Sequence, residues 1–218
     1  MHRSKISKVQ LKNKEVDFQI IKDTPLMIII SGPSGVGKDS VLRALKSGSL
    51  PLHHVVTANT RKPRSGEVEG VDYFFVSREK FKEMIHNDEL IEYSKVYQDY
   101  KGPPKSEVRK AIKTNKDIIF RLDVQGAEKL KTLYPHSILI FLIPSSQEDW
   151  YKRLSGRRLS KEKDLDMRIK TVRAELEKAF LFDYIVVNEQ NKLSKTVEII
   201  EAIITAEHHK THKHEINL

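Results

Sequence analysis

The stretch Gly32-Pro33-Ser34-Gly35-Val36-Gly37-Lys38 directly follows the apolar run 26–30, and it decides the fold of this chain. Its glycines let the backbone curl so that several N–H groups face one phosphate. A helix that begins near Lys38 would direct its positive end at the same point. The spacing G-x-x-x-x-G-K between a strand and a helix therefore predicts a phosphate-binding loop, in which Lys38 reaches the β- and γ-phosphates of a nucleotide. The alternative is a glycine-rich turn beside a surface lysine.

Apolar runs and helical patterns alternate on both sides of this loop. The predicted strands cover 26–31, 54–58, 71–76, 117–122, 137–143 and 184–187. The predicted helices cover 38–47, 77–87, 105–114, 125–133, 146–155, 164–180 and 194–208. The runs 118–120 and 138–143 lack polar alternation, which is typical of parallel strands that helices cover on both faces. We therefore expect an α/β fold with a P-loop NTPase-type parallel sheet core over residues 25–207, between an N-terminal arm (1–24) and a His-rich tail (208–218).

Composition narrows the class of protein only in part. The chain has 218 residues, and its 39 Lys and Arg exceed its 30 Asp and Glu by nine. This charge fits nucleic acid, a membrane surface or small polyanions such as nucleotides, and does not choose among them. The absence of cysteine excludes disulfides and thiolate metal sites. No apolar stretch is long enough to span a bilayer, and the basic N-terminus lacks a signal-peptide core, so we expect a cytoplasmic protein.

A second anion site is indicated within the polar, turn-rich segment 59–105, which has the character of an insertion. Arg61 and Arg64 lie three residues apart around Pro63, which restricts its own backbone and that of its predecessor. Two guanidinium groups held in this way can grip one phosphate bidentately, and the Tyr73 hydroxyl could add a donor. On charge alone, a solvated basic turn is an equally good interpretation. A nucleotide loop with a separate arginine clamp suggests two phosphorylated ligands.

Several longer motifs resemble guanylate kinases, in the order found in that family. They are the phosphate loop, Thr60-Arg61 to Phe75, Ile91-Glu92-Tyr93, Asp123-Val124-Gln125-Gly126 and Val187-Asn188. The resemblance covers about residues 26–207. It implies transfer of the γ-phosphoryl group of ATP to GMP, a GMP-binding insertion over 59–105, and a mobile helical lid over 152–173, a region that carries nine Lys and Arg.

The resemblance also implies a role for each matching residue. The ATP site would comprise Gly32, Pro33, Ser34, Gly35, Val36, Gly37, Lys38, Asp39, Ser40 and Asn188. The GMP site would comprise Arg61, Arg64 and Tyr73 on the phosphate, and Thr57, Glu92 and Asp123 on guanine. The groups acting on the transferring phosphate would be Lys38, Arg61 and the lid or lid-flanking Arg153, Arg157 and Arg168. Mg²⁺ would accompany ATP, and we name no general base because phosphoryl transfer requires mainly positioning and charge neutralisation.

The chemistry of guanine explains a carboxylate at position 92. A carboxylate accepts two hydrogen bonds, and guanine presents two adjacent donors at N1–H and the exocyclic amine. Adenine lacks the N1–H and would leave a buried carboxylate oxygen unpaired. A site of this kind can reject the wrong analogue by about 10⁴-fold. Taken alone, Glu92 would be interpreted as a surface glutamate on a strand. Only its place in the motif Ile91-Glu92-Tyr93 favours a role in binding guanine.

Four residues depart from the family's usual pattern. Asp39 stands where the phosphate loop usually has Ser or Thr, and our hypothesis is that its carboxylate takes over the binding of Mg²⁺, directly or through water. Lys101 and Pro103 replace a Tyr and a hydroxyl residue that contact the GMP phosphate, so those contacts are not carried over. Arg121 stands where an acidic residue often precedes Asp123.

Three other functions remain as alternatives. A related kinase could phosphorylate a ribose bisphosphate, although a sugar acceptor needs no guanine reader. A catalytically silent guanylate-kinase-like module could bind partner peptides, although such modules typically lose phosphate-loop or acceptor residues that this chain keeps. Nucleic-acid binding would rest on the charge alone, with no recognised motif. We expect GMP and ATP as partners, no nucleic acid or membrane, and a monomer or homodimer.

Overall fold

A parallel five-stranded sheet forms the centre of the protein. The computed structural model describes residues 24–155 and 162–211. The strands lie in the order β2 (Leu52–His54), β7 (Asp117–Arg121), β1 (Met27–Ser31), β8 (Ile138–Ile143) and β9 (Tyr184–Val187). All four pairings between neighbours are parallel. Because β1 occupies the middle position, the loop that follows it opens at the carboxyl edge of the sheet, where open α/β sheets bind ligands.

Helices cover both faces of this sheet, as the uninterrupted apolar runs predict. Alternate residues of each strand point to opposite faces. On one face Ile29, Phe120 and Phe141 pack in a buried cluster with α3 (Lys105–Ile112) and α4 (Val124–Leu133). On the other face Ile28 and Ile140 pack with α1 (Lys38–Lys46) and α7 (Leu193–His208). This double burial fixes the sheet, and with it the position of the loop after β1.

A second, four-stranded sheet stands at the carboxyl edge of the first. Its order is β4 (Tyr73–Phe75), β3 (Thr57–Asn59), β6 (Asp99–Gly102) and β5 (Ser94–Val96). The helix α2 (Arg78–His86) covers it through a buried cluster around Phe81, and Ser77 caps the first turn by accepting from the Lys80 N–H.

One predicted strand needs correction, and two strands of the structure were not predicted. The predicted strand 54–58 is two strands, because the chain leaves the central sheet after β2 and enters the second sheet at β3. The Val55 N–H still donates to Ile119 O at 3.0 Å, so Val55 extends the pairing of β2 with β7 by one residue before the chain enters the second sheet. Strands β5 and β6 were not predicted at all, because both are short and carry mixed polar residues without alternation.

The helices α5 (Gln147–Ser155) and α6 (Glu162–Glu177) pack together through Trp150, Leu154 and Val172. A 3₁₀ turn (Ala179–Leu181) joins α6 to β9. The predicted arm 1–24, except for its last residue, and most of the His-rich tail lie outside the described residues, as does Arg157. Within residues 24–155 and 162–211, no helix combines the length and the apolar character that a bilayer crossing requires.

Candidate active site

The loop between β1 and α1 has the backbone that its glycines predict. Gly32 and Gly37 have φ angles of 133° and 96°, which L-residues with side chains rarely adopt. A Cβ on Gly32 would lie 2.3 Å from Leu142 O, and one on Gly37 would lie 2.5 Å from Asn188 Nδ2. Both positions therefore need glycine for conformation and for space, and the α1 N-terminus opens directly behind them.

Three side chains hold this loop from behind. Arg153 donates from Nη1 to Val36 O (2.8 Å) and from Nη2 to Asn188 O (2.6 Å), and it also pairs with Asp149. The buried Asn188 donates from Nδ2 to Val36 O at 2.7 Å. Trp150 Nε1 donates to Ser34 O at 2.9 Å. Arg153 and Asn188, which the resemblance places near the transferring phosphate and near adenine, bind protein groups here and support the loop.

Lys38 lies inside the curl of the loop, where its ammonium donates to Gly32 O and Pro33 O. Burial lowers the pKa of Lys38 to about 8, and the Glu175 carboxylate acts in the opposite direction. Burial raises the pKa of Glu175, a residue of α6, to about 7, and the Lys38 ammonium acts in the opposite direction. The carboxylate of Glu175 therefore places a negative charge beside the lysine that a phosphate would contact.

One cavity of about 390 Å³ connects the loop with the predicted acceptor site. The predicted residues that line it are Gly32, Ser34, Gly35, Gly37, Lys38, Asp39, Thr57, Arg61, Arg64, Tyr73, Asp123 and Arg168. The predicted residues that do not line it are Pro33, Val36, Ser40, Glu92, Arg153 and Asn188. Most of the predicted donor and acceptor groups thus face a single space, although they come from segments far apart in the chain.

Arg61 is held within the acceptor side by an internal carboxylate. Its two terminal nitrogens bind Glu67 at 2.5–2.6 Å, and its guanidinium lies 4.8 Å from the centre of the Tyr73 ring. The same Glu67 accepts from the Arg64 N–H at 2.7 Å. The clamp is therefore built from two arginines and a glutamate. Glu67 falls within the motif that carried the resemblance, but no role was assigned to it.

Glu92 is buried, with 6% of its surface exposed, and it lies against α4. A Cβ on Gly126 would lie 2.8 Å from Glu92 Oε1, so glycine at position 126 makes room for the carboxylate. Burial raises the pKa of Glu92 to about 8, and the neighbouring Asp123 raises it further. Within the described residues Glu92 Oε2 is buried without a hydrogen-bond partner, which is the expected state of an acceptor that awaits a ligand.

Asp123 has a structural task in addition to its predicted one. Its Oδ1 accepts from the N–H groups of Gln125 and Gly126, which caps α4, and its Oδ2 accepts from the Ser94 hydroxyl. These bonds fix the carboxylate where it lines the cavity. Ser94 lies on β5, one of the two unpredicted strands, so this contact was not visible in the sequence.

Two of the departures from the family pattern add positive charge to the cavity. Lys101 lines it, and burial lowers the pKa of its ammonium. Arg121 also lines it, and its Nη1 lies 2.5 Å from Asp39 Oδ1. Arg168 reaches the cavity from α6, with its guanidinium 5.2 Å from the centre of the Tyr97 ring. Cations therefore approach the space from the sheet, from the insertion and from the predicted lid.

Comparison with known proteins gives a consistent family. The guanylate kinase family model matches residues 24–207. A guanylate kinase 2, chloroplastic/mitochondrial, of Oryza sativa is 44% identical over 195 residues, which cover 89% of this chain and 68% of that protein. A guanylate kinase of Halalkalibacterium halodurans is 41% identical over 189 residues, covering 87% and 92%. The crystal structure of guanylate kinase from Anaplasma phagocytophilum aligns with a TM-score of 0.70 at 28% identity, covering 88% and 90%.

Proposed function

This chain belongs to the guanylate kinase family, and from that membership we infer that it transfers the γ-phosphoryl group of ATP to GMP, giving ADP and GDP. The observation that carries the proposal is the single cavity of about 390 Å³, which both the phosphate loop and the arginine clamp line. Two phosphorylated ligands bound at its two ends would bring their phosphates together.

The donor side would hold ATP through the loop. The N–H groups of residues 32–38 and the α1 N-terminus form an anion cradle, and Lys38 adds a full positive charge within it. Arg153 and Asn188 would act on ATP only through the loop, by fixing Val36 O. Glu175 also lines the cavity, and its carboxylate would have to move away or take up a proton when a phosphate binds beside Lys38.

The acceptor side would hold GMP by its phosphate and its base. Arg61, Arg64 and Tyr73 would bind the phosphate, with Lys101 as an additional point charge. Glu92 would accept from guanine N1–H and the exocyclic amine, and Thr57 and Asp123 would contact the same base. The unpartnered Oε2 of Glu92 supports this assignment, because a buried acceptor without a donor is costly unless a ligand supplies one.

Transfer itself requires alignment, neutralisation of charge and exclusion of water. Lys38 and Arg61 would neutralise charge from opposite ends of the cavity, and Arg168 would approach from α6. Closure of the 152–173 region over the ligands would keep water from the γ-phosphate, so that ATP is not simply hydrolysed. Arg157 remains a predicted contributor outside the described residues.

Magnesium is part of the proposal, and the donor set near the loop suits it. Asp39, one residue after Lys38, offers a hard carboxylate oxygen in the cavity. Phosphate oxygens and waters could complete the coordination of the ion. Because Arg121 already binds Oδ1, the ion would share this carboxylate with a guanidinium. Mg²⁺ would supply neutralisation of the β- and γ-phosphates. A cytoplasmic location and a monomeric or homodimeric state stay predictions from the sequence.

The alternatives fit the site less well. A ribose-bisphosphate acceptor has no base, so it would not present the two adjacent N–H donors that the buried Glu92 carboxylate can accept from guanine. A silent peptide-binding module would not need Lys38 and both clamp arginines facing one cavity. Nucleic-acid binding has only the net charge of +9 in its favour.

A coupled assay of ADP release tests the proposal. We expect turnover with GMP and magnesium, at least about 10³-fold lower efficiency with AMP, and none with ribose phosphates. Lys38→Met should lose turnover by about 10³-fold or more, since it removes the charge on the transferring group. ADP release that does not depend on GMP, or an equal response to AMP, would contradict the proposal.

A further inference from the structure

Two residues that depart from the family's usual pattern contact each other. Asp39 follows the phosphate-loop lysine, and Arg121 ends β7, 82 positions later in the chain. Their side chains form an ion pair of 2.5 Å between Asp39 Oδ1 and Arg121 Nη1. A hydroxyl at position 39 and an acidic side chain at position 121 would give a neutral donor and an acceptor in the same place. The two changes together therefore replace a contact that carries one net negative charge by an ion pair that carries none.

The remaining contacts of Arg121 all lie on the acceptor side. Its guanidinium carbon is 3.9 Å from the centre of the Tyr73 ring, which is close cation–π contact. Its Nη2 donates to Asp72 O. Arg121 thus joins the central sheet, the first turn of α1 and the strand that carries Tyr73, a residue of the proposed clamp.

Neither member of the pair suits this position without the other. The Arg121 side chain is 13% exposed and the Asp39 side chain 31%. A guanidinium so far removed from water needs a counter-charge, and a carboxylate beside the ATP phosphates needs a cation. Each residue therefore provides the partner that the other requires.

We propose that Arg121 is a positioning residue for the acceptor phosphate, which holds Tyr73 and the backbone of Asp72 in place, and that Asp39 orients Arg121 for this task. The proposal rests on the proposed function, because it assigns Tyr73 to GMP. It changes the first interpretation of Asp39, whose carboxylate serves Arg121 as well as any ion that accompanies ATP.

The test is GMP binding by calorimetry without ATP and without metal, so that no turnover is involved. Arg121→Met keeps the stem and removes the charge, and we expect GMP to bind about ten- to a hundredfold more weakly. Arg121→Lys should recover part of that loss, since it keeps the cation but not the planar fork. Asp39→Ser should weaken GMP at least about threefold, while metal-free ATP binds no more weakly because a negative charge has gone.

A double substitution tests the coupling. Arg121→Asp places two carboxylates together and should give the largest loss of GMP affinity, and adding Asp39→Ser should recover at least about tenfold of it. Arg43→Met is the matched control, because Arg43 faces the Asp72 side chain at 3.9 Å with 66% of its own side chain exposed. It should leave GMP affinity within about twofold.

The outcomes separate the proposal from its premise. If the unsubstituted protein binds no GMP and shows no GMP-dependent release of ADP, the proposed function fails. If it binds GMP but Arg121→Met binds equally well, only the positioning role fails. Arg121→Met that melts at a lower temperature yet keeps its GMP affinity would reduce the pair to a structural link. Purely additive effects in the double variant would also overturn the proposal.

Discussion

Replacing Glu92 by Gln should make the empty protein more stable and its nucleotide selectivity worse. Glu92 is 6% exposed, its Oε2 has no partner within the described residues, and Gly126 leaves space for it beside α4. Gln has nearly the same shape, so the substitution removes the charge without opening a cavity. Stability and recognition should therefore change in opposite directions.

The cost of the charge follows from its pKa. Burial, assisted by Asp123, raises the pKa of Glu92 to about 8 from an ordinary value of 4.5. Since each tenfold change in proton affinity corresponds to about 1.4 kcal/mol, fully ionised Glu92 destabilises the ligand-free protein by on the order of 5 kcal/mol. A carboxyl group with a raised folded pKa binds its proton more tightly when folded. Its unfavourable contribution thus develops as the pH rises from about 4.5 to about 8, and is complete above that.

Recognition of guanine needs the ionised form, because two donors face one carboxylate. Below pH 8, GMP binding should therefore release close to one proton from Glu92, and its affinity should increase with pH up to that value. Gln offers one acceptor and turns an N–H₂ group toward a guanine donor. We expect the affinity for GMP to fall by about 10²-fold or more, with little change for AMP.

Three measurements check this reasoning. Urea unfolding from pH 5 to 9 should show Glu92→Gln gaining stability over the original protein as the pH rises. Calorimetry in two buffers of different ionisation enthalpy should detect the proton released with GMP. Glu89→Gln, at an exposed glutamate three positions earlier, is the control and should change neither quantity. The argument would be refuted if Glu92→Gln and the original protein were equally stable at pH 9, or if Glu92→Gln bound GMP as tightly as Glu89→Gln does.

Three further substitutions test supporting contacts. Gly126→Ala would place a Cβ 2.8 Å from a Glu92 oxygen, so the KM for GMP should rise about tenfold while that for ATP is unchanged in the coupled assay. Arg153→Met removes the support behind the loop, so urea unfolding should show a free energy of unfolding lower by about 3 kcal/mol. A variant that loses turnover but keeps its stability would instead indicate that Arg153 acts directly on the ligands. Glu175→Gln removes an anion beside Lys38, so calorimetry should show metal-free ATP binding several-fold tighter, and weaker binding would contradict this.

The parts of the fold that the sequence predicted well are those in which local and long-range forces agree. Strands β1, β7 and β8 are buried on both faces, so their apolar runs have one possible environment. The prediction of one strand over 54–58 was wrong because an apolar run does not reveal which of two sheets its residues join. Strands β5 and β6 depend on pairing with other segments of the chain, and a short polar segment carries no sequence pattern that predicts such pairing.

In the site, residue types were easier to predict than their orientation. The glycines at 32 and 37 follow from the motif, because the loop requires their backbone angles. The resemblance placed Arg153 near the transferring phosphate, whereas its bonds to Val36 O and Asn188 O arise from the packing of α5 behind the loop and have no signal in the sequence. The contact between Asp39 and Arg121 spans 82 positions and has no local signal.

Two of the proposed phosphate-binding cations face a carboxylate from the same chain. Arg61 is bonded to Glu67 and Lys38 is close to Glu175, so neither cation is an isolated charge before the ligands arrive. The two cases differ in what binding would demand. Glu67 also holds the Arg64 backbone and can remain as an orienting partner, whereas the Glu175 carboxylate lines the cavity and would repel a phosphate bound at Lys38. Because Glu175 shares α6 with Arg168, we expect that a phosphate bound beside Lys38 would repel one residue of this helix and attract the other.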